Sequence, residues 1–223
     1  MSNHPNVAHN RLVTITHDRT FNGKPLYYHK DGLVLEHLED IDRVLTEALG
    51  QYPKLCVAHF NVRLPSDFEG DHSEVFSRFF RTLELETNEL CLMKYRRRAH
   101  QYHQTVIRYV WSKACESTSQ YHLVLLFDKK RLYLCLGKSR FGRSRYLSRI
   151  RKAWDRAVET NYGRKCSGLA YSPSDDVYEI LKGDEGFPLQ LNEVFYRISR
   201  LAKPTTKHDD NRSTSFGCSH HSP

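Results

Sequence analysis

Gln120 and His122 are the residues of this chain whose types and spacing first indicate chemistry. They lie at the start of the apolar run Leu123–Phe127, which predicts a buried strand, and strand residues two apart share one face. An imidazole nitrogen from His122 and an amide oxygen from Gln120 can both bind Mn²⁺ or Mg²⁺. Such an ion would polarise a phosphate group for cleavage. A histidine that is only hydrogen-bonded within a sheet has the same local sequence, so both interpretations stay open.

A second reactive group lies on a helix predicted after Pro188 and ending near Lys203. The apolar stripe of this helix consists of Leu191, Val194, Phe195, Ile198 and Leu201. Tyr196, Arg200 and Lys203 follow at i, i+4 and i+7, which places them on the opposite face. A tyrosine can attack a phosphate, and a nearby lysine balances the charge of the phosphotyrosine. The same residues would also serve plain binding of a phosphate backbone.

The charge of the chain favours an anionic partner. Lys and Arg number 34 against 26 Asp and Glu, which gives a net charge of +8 and an isoelectric point near 9.2. This balance favours nucleic acid first and an anionic membrane second, although an ordinary basic protein has it too. Tyrosine and phenylalanine are interleaved with the cations, as in proteins that hold single strands. The cations that we predict to contact nucleic acid are Arg96, Arg97, Arg98, Arg143, Arg145, Arg149 and Lys152.

Composition excludes several classes of function. The chain has 223 residues, of which 39% are hydrophobic, and no apolar run approaches the roughly 18 residues of a membrane helix. The first residues lack the apolar core of a signal peptide, so we expect a cytoplasmic protein without a membrane partner. The phosphate-loop pattern G-x-x-x-x-G-K is missing, which argues against ATP hydrolysis.

Hydrophobic periodicity predicts the elements that must position these residues. Amphipathic helices are predicted over 36–49, from Asp71 or Ser73 to about Met93, over 141–160, and after Pro188. Strands are predicted over Leu55–Leu64, Thr105–Trp111 and Tyr121–Phe127, the last two paired as a hairpin. These elements predict an α+β fold with a central, mainly antiparallel sheet of about five strands and helices packed largely on one face. We expect an N-terminal extension (1–35), one domain (36–204) and a disordered polar tail (205–223).

Several segments, in order along the chain, resemble one known family. They are Leu55–Pro65, Tyr95–Arg98, Tyr109–Trp111, Tyr121–Leu126, the helix around Trp154, and Val194–Lys203 with Thr206, Lys207, Phe216 and Gly217. Over these segments the chain is similar to the inovirus gene-2-product replication proteins of the YagK/YfjJ prophage type. The resemblance implies a rolling-circle replication initiator of the HUH-endonuclease fold, which uses Mn²⁺ or Mg²⁺ and nicks one DNA strand through a phosphotyrosine. Its implied partners are single-stranded or hairpin DNA and host replication proteins.

The chain departs from the family where the chemistry is concentrated. Gln120 stands where the family has a histidine, and Arg200 stands where it has the nucleophilic tyrosine. Asn61 replaces an expected aspartate. Two hypotheses follow. Either Tyr196 takes over the attack while Lys203 and Arg200 brace the phosphate, or the chain is a nuclease-inactive relative that binds DNA and regulates replication.

Overall fold

The computed structural model describes residues 13–95, 105–114, 119–129, 140–172, 177–204 and 215–219. The described residues form four α-helices, which are α1 (Leu35–Gln51), α2 (His72–Tyr95), α3 (Arg140–Tyr162) and α4 (Phe187–Ile198), with a 3-10 turn (Ser199–Ala202) directly after α4. The strands are β1 (Ile15–Thr16), β2 (Thr20–Phe21), β3 (Lys24–Pro25), β4 (Leu33–Val34), β5 (Lys54–Arg63), β6 (Arg108–Lys113), β7 (Gln120–Asp128), β8 (Ala170–Tyr171), β9 (Val177–Leu181) and β10 (Phe216–Cys218). None of the helices within these ranges is long and apolar enough to cross a bilayer.

A six-stranded antiparallel sheet forms the centre of the fold. Its order is β10-β6-β7-β5, and the outer edge of β5 pairs with β8 near one end and with β9 near the other. The α+β class with an antiparallel sheet is therefore confirmed, with six strands in this sheet instead of about five. The predicted hairpin is also confirmed, because β6 and β7 pair along their length.

Helices cover both faces of this sheet, so the expectation that they lie largely on one face is wrong. Helices α2 and α3 pack on one face, where Phe79 and Trp154 are fully buried. Helices α1 and α4 pack on the other, where Leu38 and Phe195 are fully buried. The physical reason is that β5 is apolar on both sides, since its residues 55–60 are all buried and need cover on each face.

The segment before α1 packs on the α1/α4 face and does not behave as a separate extension. Strands β2 and β3 form a hairpin whose turn residues, Asn22 and Gly23, both have positive φ angles of 48° and 75°. Asn-Gly is the preferred pair for such a turn. The ring of Phe21 stacks on Phe195 with centroids 6.2 Å apart, and Leu26 belongs to the same core as α1. The segment before α1 thus shares a core with α1, and the predicted domain bounds stay a prediction.

Part of the predicted disordered tail is ordered. Strand β10 pairs with β6, so that Phe216 lies opposite Ser112 and Gly217 opposite Trp111. The ring of Phe216 stacks on the imidazole of His37 at 3.9 Å between centroids, which gives this short strand an anchor on α1. Residues 205–214 and 220–223 lie outside the described residues.

Gly217 lets β10 pack closely against the side chain of Trp111, and its substitution tests this packing. A Cβ atom there would come within 2.7 Å of the indole of Trp111, a buried ring that stacks on Phe76 at 4.3 Å. We expect Gly217→Ala to lower the free energy of unfolding by about 1–3 kcal/mol, measured by urea denaturation. The control is Gly50→Ala in α1, where a Cβ meets nothing within 4 Å, and helix propensity predicts a neutral or stabilising effect. A Gly217→Ala protein as stable as the parent would contradict the close approach.

Candidate functional site

A row of polar side chains crosses the α1/α4 face at the end of the sheet where β7 begins. The register places Ser112 opposite His122, His122 opposite Asn61, and Asn61 opposite Tyr171. Directly opposed residues of an antiparallel pair project to the same side, so these four side chains share one face. Two residues further into the sheet the opposed pair is Val110 and Val124, which are core residues. On β5 the residue opposite Val124 is His59, so on that strand the polar side chains continue one pair further into the sheet.

His122 is held in one orientation by its neighbour on β5. Its Nδ1 lies 2.7 Å from the amide oxygen of Asn61. In the neutral ring Nδ1–H donates to that oxygen, which leaves Nε2 with a free lone pair as an acceptor. The structure therefore gives His122 the hydrogen bond that the simpler interpretation of its sequence predicts. Gln120 is exposed and lies opposite Arg63, two residues before His122 on the same face.

His59 is a residue of this site that the sequence reasoning missed. It lies two residues before Asn61 on β5, is 5% exposed, and has its ring centroid 5.7 Å from that of His122. The signal was present, because His59 and Asn61 have the same i, i+2 spacing at a strand end that singled out Gln120 and His122. Its position in the apolar run Leu55–Leu64 made it resemble a core residue.

The guanidinium of Arg200 lies against the ring of His59. Its Nη2 is 2.8 Å from Nε2 and 2.5 Å from Nδ1 of that ring. A guanidinium can only donate hydrogen bonds, so one of the two ring nitrogens is the acceptor and the imidazole is neutral. Arg200 reaches this position from the 3-10 turn that follows α4. Arg200 thus contacts His59 and its charge acts on His122, while its predicted role in the site stays a prediction.

Burial and nearby cations keep both imidazoles uncharged at neutral pH. The pKa of His59 is lowered from 6.5 to about 3, first by burial and then by the charges of Arg200 and of His122 itself. The pKa of His122 is lowered to about 4, first by burial and then by Arg200 and Lys203. The positive charge of the site therefore comes from Arg200 and Lys203, while the histidines contribute neutral polar atoms.

The residues of this site do not fit Mn²⁺ or Mg²⁺ well. Both ions favour carboxylate and other oxygen ligands; of the predicted pair Gln120 offers one amide oxygen and His122 an imidazole nitrogen, and neither is a carboxylate. Among the described residues no group of three or more histidine, cysteine, aspartate or glutamate side chains is arranged for a metal. The charges of Arg200 and Lys203 that disfavour a proton on His122 also disfavour a divalent cation beside it. The predicted metal ligands, His122 and Gln120, stay a prediction that this charge distribution does not favour.

The side chain of Tyr196 contacts Tyr27 and not the imidazoles. Its side chain is 43% exposed, and its ring centroid lies 6.0 Å from that of Tyr27. Within the described part of the chain it makes no contact with either imidazole. Lys203 acts on both groups, because its Nζ is 4.8 Å from the centre of the Tyr27 ring and its charge lowers the pKa of His122. Arg200, not Tyr196, therefore reaches the histidines.

The predicted basic helix lies on the far side of the sheet. Arg149 and Lys152 belong to α3, which packs on the α2/α3 face, whereas His59 and Arg200 lie on the α1/α4 face. Arg143 and Arg145 occupy backbone positions of the same helix, and Arg96–Arg98 lie outside the described residues. The structure thus does not bring Arg149 or Lys152 together with the polar row.

Removing the guanidinium tests the electrostatics of the site. In Arg200→Met the repulsion that opposes protonation disappears, so the pKa of His59 and of His122 should rise towards 6.5, with burial keeping both below it. Titration of the imidazole signals by NMR measures this rise. Arg149→Met on α3 serves as the control and should change neither pKa. Unchanged values in Arg200→Met would show that the guanidinium does not act on these rings.

The chain was also compared with known proteins. A family model described as the YagK/YfjJ C-terminal domain matches residues 16–219. No curated protein and no solved structure matches the chain. The matched range contains the strands with His59 and His122, the 3-10 turn with Arg200, and β10. Since this match covers most of the 223 residues, the chain belongs to the YagK/YfjJ family.

Proposed function

We propose that this protein binds single-stranded or hairpin DNA through the polar row and does not cut it. The observation that carries the proposal is the guanidinium of Arg200 against the neutral ring of His59. Membership of the YagK/YfjJ family suggests a prophage-associated protein, for which the DNA of its own element is the natural ligand. In this role the protein regulates replication or competes with an active initiator.

The donors of the site suit a phosphate group. Arg200 and Lys203 supply charge-assisted donors, and the hydroxyls of Ser112 and Tyr171 lie in the same polar row. Arginine, lysine, serine and tyrosine side chains are among the groups that contact DNA phosphates. A small recess next to His59 is lined by Arg197 and Arg200, and Arg197 also pairs with Glu193 at 2.9 Å. The net charge of +8 adds a general attraction to polyanions.

The residue at position 200 supports a role without cutting. The resemblance to rolling-circle initiators implies a tyrosine at position 200, where the attack on phosphorus would start. Arginine stands there, and a guanidinium cannot form a phosphotyrosine. The same side chain places a cation against His59, in the region where the family would need a metal. One substitution thus changes both the nucleophile and the charge of the site.

A second candidate is a nickase in which Tyr196 attacks the phosphate. Its exposed side chain, one helical turn before Arg200, supports this alternative. Lys203 and Arg200 would then brace the phosphate, and Mn²⁺ or Mg²⁺ would be held by His122 and Gln120. In this alternative the metal ion would have to bind beside two cations, Arg200 and Lys203, whose charges repel it.

One experiment separates the two candidates. The full chain is incubated with a fluorescent DNA hairpin that carries a single-stranded flank, with Mn²⁺ or with EDTA, and is analysed by anisotropy and on a denaturing protein gel. We expect retention that is independent of EDTA, with a log–log salt slope near −4 if about six phosphates are contacted, and no SDS-resistant adduct. Arg200→Met should weaken binding and reduce the slope by about 0.7.

The charge-matched control is Arg81→Met on α2, an exposed residue on the far side of the sheet, which should bind as the parent does. An adduct that needs Mn²⁺ and is lost in Tyr196→Phe would establish the nickase. A chain that does not retain the hairpin at low salt would overturn DNA binding itself.

A further inference from the structure

A cluster of two tyrosines and a lysine lies beside the polar row, and none of its contacts is explained by phosphate binding. The rings of Tyr27 and Tyr196 meet at 6.0 Å and are tilted by 52°. The ammonium of Lys203 lies 4.8 Å from the centre of the Tyr27 ring. Tyr27 precedes α1 by several residues, so the N-terminal segment supplies one half of this cluster and the end of the chain's last helix supplies the other.

A single buried hydroxyl holds the two tyrosines together. Ser199 Oγ accepts a hydrogen bond of 3.0 Å from the backbone N–H of Tyr27. The same hydroxyl donates to the carbonyl oxygen of Tyr196 at 2.8 Å, and Ser199 is fully buried. Leu26, next to Tyr27, is buried in the core with α1. The backbone positions of both tyrosines are therefore fixed before any ligand arrives, which lowers the entropic cost of binding.

We propose that Tyr27, Tyr196 and Lys203 form a stacking site for one unpaired nucleobase. The tilt keeps the two rings from lying face to face, and the Tyr196 side chain is 43% exposed, so an aromatic surface remains for a base. Aromatic rings that stack bases next to a cationic path for the backbone are the usual way to hold a single strand. The proposal rests on the proposed DNA binding and adds a role for the N-terminal segment.

The cluster is placed so that a single DNA strand bound to it could also contact Arg200. Tyr196 and Arg200 are four residues apart, about 6 Å along a helix axis. A base stacked at Tyr196 and a phosphate at Arg200 can therefore belong to the same nucleotide or to adjacent ones. Lys203 lies near both groups, since it contacts the ring of Tyr27 and its charge acts on His122. This arrangement gives Tyr196 a binding role that needs no hydroxyl chemistry.

Anisotropy titrations of the full chain with a fluorescent oligo-dT single strand at fixed salt test the stacking site. We expect Tyr196→Ala and Tyr27→Ala each to weaken binding by about 5- to 150-fold, the usual effect of losing one stacked base. Tyr196→Phe should bind as the parent does, because the ring is kept. The log–log salt slope should stay unchanged in the alanine variants, since no cation is lost.

The matched control is Leu189→Ala, an exposed apolar residue of the same helix that is 76% exposed and cannot stack a base; it should bind as the parent does. Tyr196→Leu keeps apolar bulk without the aromatic ring and should be as weak as Tyr196→Ala, which guards against a folding defect in the smaller variant. Parent-like binding by Tyr196→Leu would overturn the stacking site. If Arg200→Met still weakens binding in that case, the proposed DNA binding stands without it.

If the parent retains the flanked hairpin but does not bind oligo-dT, the stacking site is overturned and the proposed DNA binding stands. If it retains neither DNA, both proposals fail. A surface that serves a protein partner instead would show as parent-like DNA binding by all the tyrosine variants, which overturns the proposal. Loss of binding in Tyr196→Phe as well as in Tyr196→Ala would also overturn it, because that pattern assigns the effect to the hydroxyl and not to the ring.

Discussion

The burial of β5 on both faces is the constraint from which the site follows. Its apolar residues need cover from α2 and α3 on one side and from α1 and α4 on the other. Two polar residues, His59 and Asn61, lie at the end of this otherwise apolar strand, and a buried polar group without a partner would be costly. Asn61 meets His122 from β7, and His59 meets Arg200 from the turn after α4. The turn that follows α4 is therefore tied to His59, the neighbour of the polar row on β5.

The cations beside the two imidazoles determine the charge of the site. Because each imidazole is buried beside cations, both have a pKa well below 6.5 and are neutral at physiological pH. The site then combines permanent positive charge from Arg200 and Lys203 with neutral hydrogen-bonding groups. Such a combination favours an anionic oxygen over a metal ion. We propose that Arg200 is the residue that sets this preference.

The sequence predicted the elements well where periodicity is strong. The helix over 36–49 and the strand over Leu55–Leu64 match α1 and β5 to within two residues at each end, since their apolar spacing is regular. The hairpin of β6 and β7 followed from adjacent strands with a short connection. Short elements were missed, because the three residues of β10 give no periodic signal and owe their order to Trp111 and His37.

The candidate site was predictable only in part. His122, Arg200 and Lys203 were identified from spacing and from the resemblance, and Tyr196 was placed correctly on an exposed face. The contact between Arg200 and His59 joins residues 141 positions apart in the chain, so no local pattern could reveal it. The same limit applies to Arg149 and Lys152, because amphipathic spacing shows that a helix has an apolar side but not which face of the sheet it covers.

The most direct test of the central claim is to observe the side chains of the site while DNA binds. NMR spectra of the Arg200 Nε–H group and of the His59 and His122 imidazoles would be recorded during titration with a single-stranded oligonucleotide in EDTA. If DNA binds at this site, we expect all three signals to shift with one dissociation constant and both rings to stay neutral. Saturable DNA binding that leaves these signals unchanged, while residues of α3 shift, would place the DNA on the other face and contradict it.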